Sequence, residues 1–304
     1  MDTYFQKMNG RNDMKIAAGI IIFNSDFVLQ QVLESIYPHM DQILVAEGPV
    51  KFWQDQGHKT SSDRTNEILN NFPDPDEKII IVRGQFAEKT EQANAYMKHL
   101  NPDIDYIWNI DADEVFRGAD IQVIKGLLER EKYTSVGFRS RTFFGGFSHY
   151  LTGFEEGHEF MRIRKVYPGS TWDNHRPPTI KHVPGTATLP EKHLSYSKLA
   201  DMGIFMYHYS YVFARQVKEK VFYYENAVIS PGKCIPDYFN TVWKPWVLEP
   251  GSRSLIERKF HGVHEFTPDA RGECFTAQFN GTHPEIIQRD AGDLLVEFEK
   301  QLNL

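Results

Sequence analysis

The sequence predicts a three-layer α/β/α fold with a mostly parallel central sheet. Short apolar runs, rich in Ile and Val, alternate with helical segments over residues 15–110, which is the pattern of parallel strands joined by crossover helices. Two of the runs end in acidic residues: Glu47 follows the second, and Asp111-Ala112-Asp113-Glu114 follows the fourth. Because ligands of such sheets bind beyond the carboxyl ends of the strands, we expect both acidic groups at one ligand-binding edge.

The elements of the first half follow from local patterns of apolar and capping residues. The apolar runs predict strands at residues 15–23, 41–48, 78–82 and 106–110. Polar N-cap clusters and helical spacing predict a helix after residues 24–26, a helix at 61–71 and a helix at 88–100. The first of these helices is expected to end at Pro38, and residues 49–60 are expected to form a loop.

The second half has a different pattern, with fewer clear strand–helix repeats. Alternating residues predict one strand at 134–144, and Phe160–Val166 reads as an edge strand with Arg162, Arg164 and Lys165 on its solvated face. The other predicted features are helices at 122–131, 215–227 and 293–301, a strand at 204–211, a Gly- and His-rich loop at 145–157 and a polar turn at 172–178.

Composition excludes several classes of protein. The chain has 304 residues, 41% of them hydrophobic, which is enough for a large core, and its net charge of -7 argues against a general nucleic-acid binder. With only Cys234 and Cys274 it has no disulfide framework, which favours a reducing compartment. No apolar run reaches the ~20 residues of a membrane span, and the N-terminus lacks a signal-peptide core. We therefore expect a cytoplasmic protein, and a homo-oligomer stays open.

The acidic motif at the end of the fourth strand allows three readings. Clustered carboxylates need positive charge nearby, and Mg²⁺ bound to one or two carboxylates and to substrate phosphates would supply it. Asp111, Asp113 and Glu114 could instead cap the helix that follows. The motif also fits a haloacid-dehalogenase-type phosphatase, with Asp111 as nucleophile and Asp113 as acid/base. However, three strands precede the motif here, and Gly292-Asp293 lacks the second Asp of the phosphatase metal site.

An ordered set of motifs resembles the family 2 glycosyltransferases with the GT-A fold. The similarity extends over residues 15–225, and its marks are Phe23-Asn24, Glu47-Gly48, Ser62-Asp63-Arg64-Thr65, the segment 86–94, Asp111-Ala112-Asp113-Glu114 and His208-Tyr209. The resemblance implies a Rossmann-like GT-A catalytic domain at residues 14–228, with a nucleotide-binding half at 14–118 and an acceptor half at 119–228. Residues 1–13 would be a tail, and 229–304 a helical or irregular C-terminal extension.

The resemblance also implies roles for individual residues in a metal-dependent hexosyltransferase. Asp113 would hold Mn²⁺ or Mg²⁺, with His208 as a further ligand and Asp111 on the ribose or on a metal-bound water. The donor would be a nucleotide-diphosphate sugar, UDP- or GDP-linked, and the acceptor a hydroxyl of a glycan or other molecule, with inversion at the anomeric carbon. The residues expected to bind the donor are Asn24, Glu47, Asp63, Lys89, Asp111, Ala112 and Asp113.

The acceptor side is less defined by its sequence. An inverting transferase needs a general base, for which Glu155, Glu156 and Asp173 are the candidates. His175, Arg176 and Trp172 could contact the acceptor or a phosphate, although a Pro-rich turn and a packed core would also use them. Asp63 could equally cap a helix. Because the base is not defined, a nucleotide-sugar-binding protein without turnover is an alternative to the enzyme.

Overall fold

A computed structural model describes residues 14–302 of the chain. The predicted tail, residues 1–13, lies outside this part. Fourteen strands are present among these residues: β1 Ile16–Ile22, β2 Gln42–Glu47, β3 Ile79–Arg83, β4 Tyr106–Asp111, β5 Glu114–Val115, β6 Ser135–Phe138, β7 Ser140–Phe144, β8 His149–Leu151, β9 Phe160–Lys165, β10 Thr171–His175, β11 Pro178–Lys181, β12 His193–Leu194, β13 Met206–Tyr211 and β14 Thr276–Gln278.

The helices within the same residues are mostly short. They are α1 Leu29–Ile36, α2 Lys51–Asp55, α3 Thr65–Asn71, α4 Lys89–Met97, α5 Gly118–Glu131, α6 Phe154–Gly157, α7 Tyr196–Asp201, α8 Ala214–Tyr223, α9 Lys244–Leu248, α10 Arg253–Phe260, α11 Pro268–Arg271, α12 Glu285–Arg289 and α13 Ala291–Leu302. No helix in the described range 14–302 combines the length and apolarity that crossing a membrane requires.

The main sheet has seven strands in the order β12-β6-β9-β4-β1-β2-β3. Strands β1 to β4 are mutually parallel, and β9 runs antiparallel between β4 and β6. Ile22 pairs with Glu47, and Ile21 pairs with Asp111, so β1, β2 and β4 end at the same edge. The predicted parallel α/β sheet is therefore confirmed, with both acidic motifs at its carboxyl edge.

Helices cover both faces of this sheet, as a buried parallel sheet requires. Successive strand side chains point to opposite faces, so Ile16, Ala18 and Ile20 of β1 pack in one core and Ala17 packs in the other. The first core also contains apolar residues of α1 and α5, and the second contains those of α4. This arrangement is the three-layer architecture that the sequence predicts.

A second sheet, β14-β8-β7-β13-β5, packs beside the main one. It begins with β5, directly after the acidic motif, which pairs with β13 so that His208 lies opposite Glu114. The C-terminal extension belongs to the same body, because Trp243, Trp246 and Phe298 share the large core with the main sheet.

Four predictions from the sequence need correction. Phe160–Val166 is not an edge strand, since β9 lies inside the main sheet and Arg162 is buried. Residues 134–144 form two strands in different sheets rather than one. The loops predicted at 49–60 and 145–157 contain α2, and β8 with α6, respectively.

Candidate functional site

A cavity of about 800 Å³ opens at the carboxyl edge of the main sheet. One side of it consists of the ends of β1 and β4, with Asp111, Ala112 and Asp113. Helix α8 forms another side, and residues 154–162 and 265–272 form the far side. This volume lies within the range of small-molecule sites.

A buried arginine fixes the first carboxylate of the motif. Arg162 donates from Nε to both carboxylate oxygens of Glu114, at 3.0 and 2.8 Å, and from Nη2 to Asp111 at 3.2 Å. Burial raises the pKa of Glu114 even though Arg162 opposes the effect. For Asp111 burial also acts upward, but the charges of Arg162, Arg176 and His175 outweigh it and lower the pKa. Asp111 is therefore ionised and held in position.

Asp113 and His208 face each other across the cavity floor. Their nearest atoms, Oδ1 and Nε2, are 3.4 Å apart, and Gln216 donates to the other oxygen of Asp113 at 3.2 Å. The main-chain N–H of Tyr209 donates to the Asp113 carbonyl, which ties the motif to β13. Burial would raise the pKa of Asp113, but His208 lowers it overall.

The hydrogen bonds around His208 suit a metal ligand. Thr142 donates its only hydroxyl proton to Glu155 at 3.0 Å, so it accepts at 3.3 Å from Nδ1–H of His208. With Nδ1–H directed at Thr142, a neutral His208 turns the lone pair of Nε2 toward Asp113, and a metal cation can bind between two such acceptors. A divalent metal fits this pair, because the second ring nitrogen of His208 is hydrogen-bonded, as it is in most metal-ligating histidines. Within residues 14–302 no three His, Cys, Asp or Glu side chains are arranged to surround a metal, so ligands from outside the chain would have to complete the shell.

Three cations line the cavity without forming a salt bridge within residues 14–302. Lys89 lies over the Tyr223 ring, 4.8 Å from its centroid, and Arg176 donates to the Tyr224 hydroxyl. Lys220 donates to Ser210 and lies 4.0 Å over the Tyr211 ring. Burial and the charges of Arg176 and Lys220 lower the pKa of Lys89 to about 7, although the nearby carboxylates of the acidic motif act to raise it. Such a group suits an anion with several charges, such as a diphosphate.

Three predicted donor ligands hold loops through their side-chain oxygens. Glu47 is 1% exposed and accepts hydrogen bonds from the hydroxyl of Thr60 and from the Ser61 main chain. Asn24 lines the cavity but accepts from the main chain of Ser62. Asp63 accepts from the main chain of Thr65 at the start of α3, as the capping alternative predicts, and also pairs with Arg215.

The predicted base candidates are separated by the fold. Glu155 is buried at the cavity wall, with one oxygen bound by Thr142 and the other by Arg271 at 2.9 Å. Burial acts to raise the pKa of Glu155, but Arg271 lowers it overall. Glu156 pairs with Arg141 away from the cavity, and Asp173 is exposed on β10, also away from it. Only Glu155 of the three lines the cavity.

A comparison with protein families found a match for part of the chain. Residues 59–184 match the profile of the family described as glycosyl transferase family 2. The similarity thus covers less than half of the chain. The matched segment includes the acidic motif and β9, and the carboxyl edge of its sheet bears the cavity. No curated protein sequence matches the chain.

Solved structures with similarity to this chain cover only part of it. S. aureus TarS shares 10% identity over 71% of this chain and 41% of its own, with a TM-score of 0.37. S. aureus TarS 1-349 in complex with UDP-GlcNAc shares 13% sequence identity over 43% of this chain and 35% of its own, with a TM-score of 0.32. A third match is M. tuberculosis glucosyl-3-phosphoglycerate synthase in complex with Mn²⁺, UDP and glucosyl-3-phosphoglycerate. It shares 17% sequence identity over 46% of this chain and 47% of its own, with a TM-score of 0.32. The chain thus spans less than half the length of these proteins.

The three residues predicted to contact the acceptor or a phosphate lie in different surroundings. Arg176 lines the cavity, whereas Trp172 is buried in the core against α4. His175 is buried, and burial lowers its pKa to about 3, although Asp111 opposes the effect. Gln216 and Lys220 line the cavity one helical turn apart on α8, although neither is among the residues predicted from the sequence. The sequence predicts the helix, but it does not show that α8 packs with these two side chains toward Asp113.

Proposed function

We propose that this protein is a metal-dependent glycosyltransferase. It would transfer a hexose from a nucleoside-diphosphate donor, UDP- or GDP-linked, to a hydroxyl of a glycan or other acceptor, with inversion. The observation that carries this proposal is the Asp113–His208 pair at a distance of 3.4 Å beside three cations that form no salt bridge with the residues the structure describes. A metal at the pair and a diphosphate among the cations would satisfy both groups.

The proposed roles follow from these positions. Asp113 and His208 would hold Mn²⁺ or Mg²⁺, and such an ion stabilises the negative charge of a departing diphosphate. Asp111, fixed by Arg162, would bind the ribose or a metal-bound water. Lys89, Arg176 and Lys220 would contact the diphosphate oxygens.

The nucleoside would bind where the ends of β1 and β2 meet the cavity. Ala112 lines this region together with Asn24 and Gly48. Glu47 and Asp63 would act there by holding the loop at residues 60–65, since their carboxylates already bind it. The cytoplasmic location and the oligomeric state stay predictions from the sequence.

The phosphatase alternative finds less support at Asp111. A nucleophilic carboxylate must be free to attack, but the guanidinium of Arg162 lies 3.2 Å from one oxygen of Asp111 and lowers its pKa together with neighbouring cations. Binding without turnover is the stronger alternative, because both oxygens of Glu155 are engaged. Donor hydrolysis or transfer would exclude this second alternative.

A thermal-shift panel tests the donor site. UDP, GDP, CDP and dTDP would each be added at 1 mM with Mn²⁺, with Mg²⁺ or with EDTA. We expect one diphosphate to raise the melting temperature in a metal-dependent manner, because a ligand at 100 times its Kd stabilises by about 2.7 kcal/mol. Asp113→Asn should abolish the shift, while Asp201→Asn, an exposed acid away from the cavity, should keep it. If no diphosphate stabilises the native protein, the proposed donor site is wrong.

A further inference from the structure

One wall of the cavity differs in its charges from the part that holds Lys89, Arg176 and Lys220. It is formed by residues 154–160 and 265–272, and the second segment lies in the C-terminal extension, outside the family match at 59–184. The family resemblance therefore assigns no role to residues 265–272. Their side chains nevertheless border the same cavity as Asp113.

The charges on this wall are already paired. Arg271 binds Glu155 at 2.9 Å, and Asp269 binds Lys233 at the rim. Glu265 accepts hydrogen bonds from the Tyr211 hydroxyl at 2.5 Å, and the Nδ1 of His264 lies 3.0 Å from the same oxygen. A charged ligand would find little opposite charge left to bind here, unlike at the cations on the donor side. The wall favours an uncharged molecule.

Aromatic faces make up much of the remaining surface. Phe154 is 41% exposed and stacks on His158 with ring centroids 5.7 Å apart. Phe160 meets His158 edge to face at 4.7 Å. Aromatic rings of this kind bind the C–H face of a sugar ring, which is apolar, while the hydroxyls at its rim reach polar groups.

Glu265 supplies a polar group for such hydroxyls. Its side chain is 1% exposed, and the one oxygen that accepts from the Tyr211 hydroxyl is also the oxygen that lies 3.0 Å from Nδ1 of His264. The other oxygen accepts no hydrogen bond from any residue of the described range, although the residue borders the cavity. A buried carboxylate oxygen of this kind gains from accepting a ligand hydroxyl.

The two segments of the wall are joined before any ligand binds. The main-chain N–H of Phe154 donates to the carbonyl of Glu273 at 2.9 Å. Gly272 has a φ of +98°, and a Cβ there would lie 3.3 Å from the Cβ of Phe154. A wall that is already formed loses less conformational entropy on binding.

We propose that residues 154–160 and 265–272 form the acceptor site, and that the acceptor is an uncharged saccharide. Its ring packs against Phe154 and His158, and one of its hydroxyls donates to Glu265. This inference rests on the proposed function, since an acceptor has a role here only beside a donor bound at Asp113 in the same cavity.

Saturation-transfer difference NMR on the full chain tests the site. The protein would be saturated with Mg²⁺ and the diphosphate found in the thermal-shift panel. The probes are the methyl β-glycosides of glucose, galactose and N-acetylglucosamine, with glucuronic acid and glucosamine as charged counterparts. We expect at least one neutral glycoside to bind better than its charged counterparts. Phe154→Ala and Glu265→Gln should each weaken that binding about tenfold, the scale of a lost aromatic or hydrogen-bonded contact.

Matched controls separate this inference from the proposed function. Leu255→Ala removes another exposed apolar side chain, and Glu273→Gln changes an exposed acid next to the segment, so both should bind the glycoside normally. All four variants should keep the diphosphate affinity of the native protein. The inference is overturned if no neutral glycoside binds, if the charged sugars bind better, or if Phe154→Ala and Glu265→Gln bind as the native protein does. Loss of diphosphate binding by the native protein would instead overturn the proposed function.

Discussion

Arg162 and Glu114 form a buried ion pair between two strands of the fold. The guanidinium Nε lies 2.8 and 3.0 Å from the two carboxylate oxygens, and Glu114 is 0% exposed. The same guanidinium also binds Asp111, the last residue of β4. The pair therefore connects β9 to the acidic motif at the cavity.

Replacing this arginine should destabilise the fold. Arg162→Met would leave two carboxylates buried near each other without a counter-charge, so we expect the free energy of unfolding to fall by about 3–5 kcal/mol. Arg164→Met, on the same strand, removes only hydrogen bonds to the Pro178 carbonyl and should cost about 1 kcal/mol. Urea denaturation measures both. Equal losses would show that the buried pair has no special part in stability.

Sequence reasoning predicts the first half of this fold well because its signals are local. Strands β1 to β4 are each a continuous apolar run, and the acidic motif follows directly from the last. The prediction for β9 is wrong because two arginines in one short strand are typical of a solvated face. Arg162 is buried only because Glu114, 48 residues away, neutralises it, and no local pattern shows such a pair.

The candidate site was predicted in part for the same reason. Asp111, Asp113 and His208 are near one another, and the resemblance placed them together. Lys220 and Glu265 could not be found, since their approach depends on the packing of α8 and of the C-terminal extension. Glu47 was placed correctly at the end of β2, but its carboxylate turns toward Ser61.

Lys220 offers a test of diphosphate recognition. If it contacts the β-phosphate, Lys220→Met should weaken binding of the nucleoside diphosphate about tenfold, because a charge-assisted hydrogen bond is lost. Binding of the corresponding monophosphate should change much less. Lys218→Met, on the exposed side of the same helix, is the matched control and should bind both nucleotides normally. Calorimetric titration gives these affinities, and equal losses for diphosphate and monophosphate would place Lys220 elsewhere.

The low pKa of Lys89 predicts a pH dependence of binding. Burial and the charges of Arg176 and Lys220 hold the pKa of Lys89 at about 7 in the protein without nucleotide. The Lys89 ammonium therefore loses its proton as pH rises above that value. Since a diphosphate favours the charged form, its affinity should fall by up to about tenfold per pH unit above 7. The terminal phosphate of the nucleotide is itself mostly ionised above pH 7, as phosphate has a second pKa near 6.

Titrations in Mg²⁺ between pH 6.5 and 8.5 would show this slope. Lys89→Arg keeps its charge throughout the range, so its affinity should stay level with pH. A level profile for the native protein would mean that Lys89 does not contact the diphosphate.

Glu219 predicts a pH dependence of stability. Burial raises its pKa from 4.5 to about 7, against the charge of Arg215, which lies 3.6 Å away. Because the pKa is higher in the folded protein, the carboxyl group stabilises the fold at low pH. This contribution is lost as pH rises from 4.5 to about 7. Compared with Glu219→Gln, the native protein should lose stability across this window and then stay constant. Urea denaturation at several pH values measures the difference, and a constant difference would contradict the account.

The position of the metal tests the central claim most directly. Crystals grown with Mn²⁺ and the bound diphosphate would give an anomalous difference map at the manganese edge. We predict one peak at coordination distance, about 2 Å, from both Asp113 and His208, in contact with the diphosphate, as oxygen-ligated divalent ions show. The same map from Asp113→Asn crystals should lack the peak. Diphosphate bound in the cavity without a peak at Asp113, or a peak at other residues, would contradict the metal-dependent mechanism.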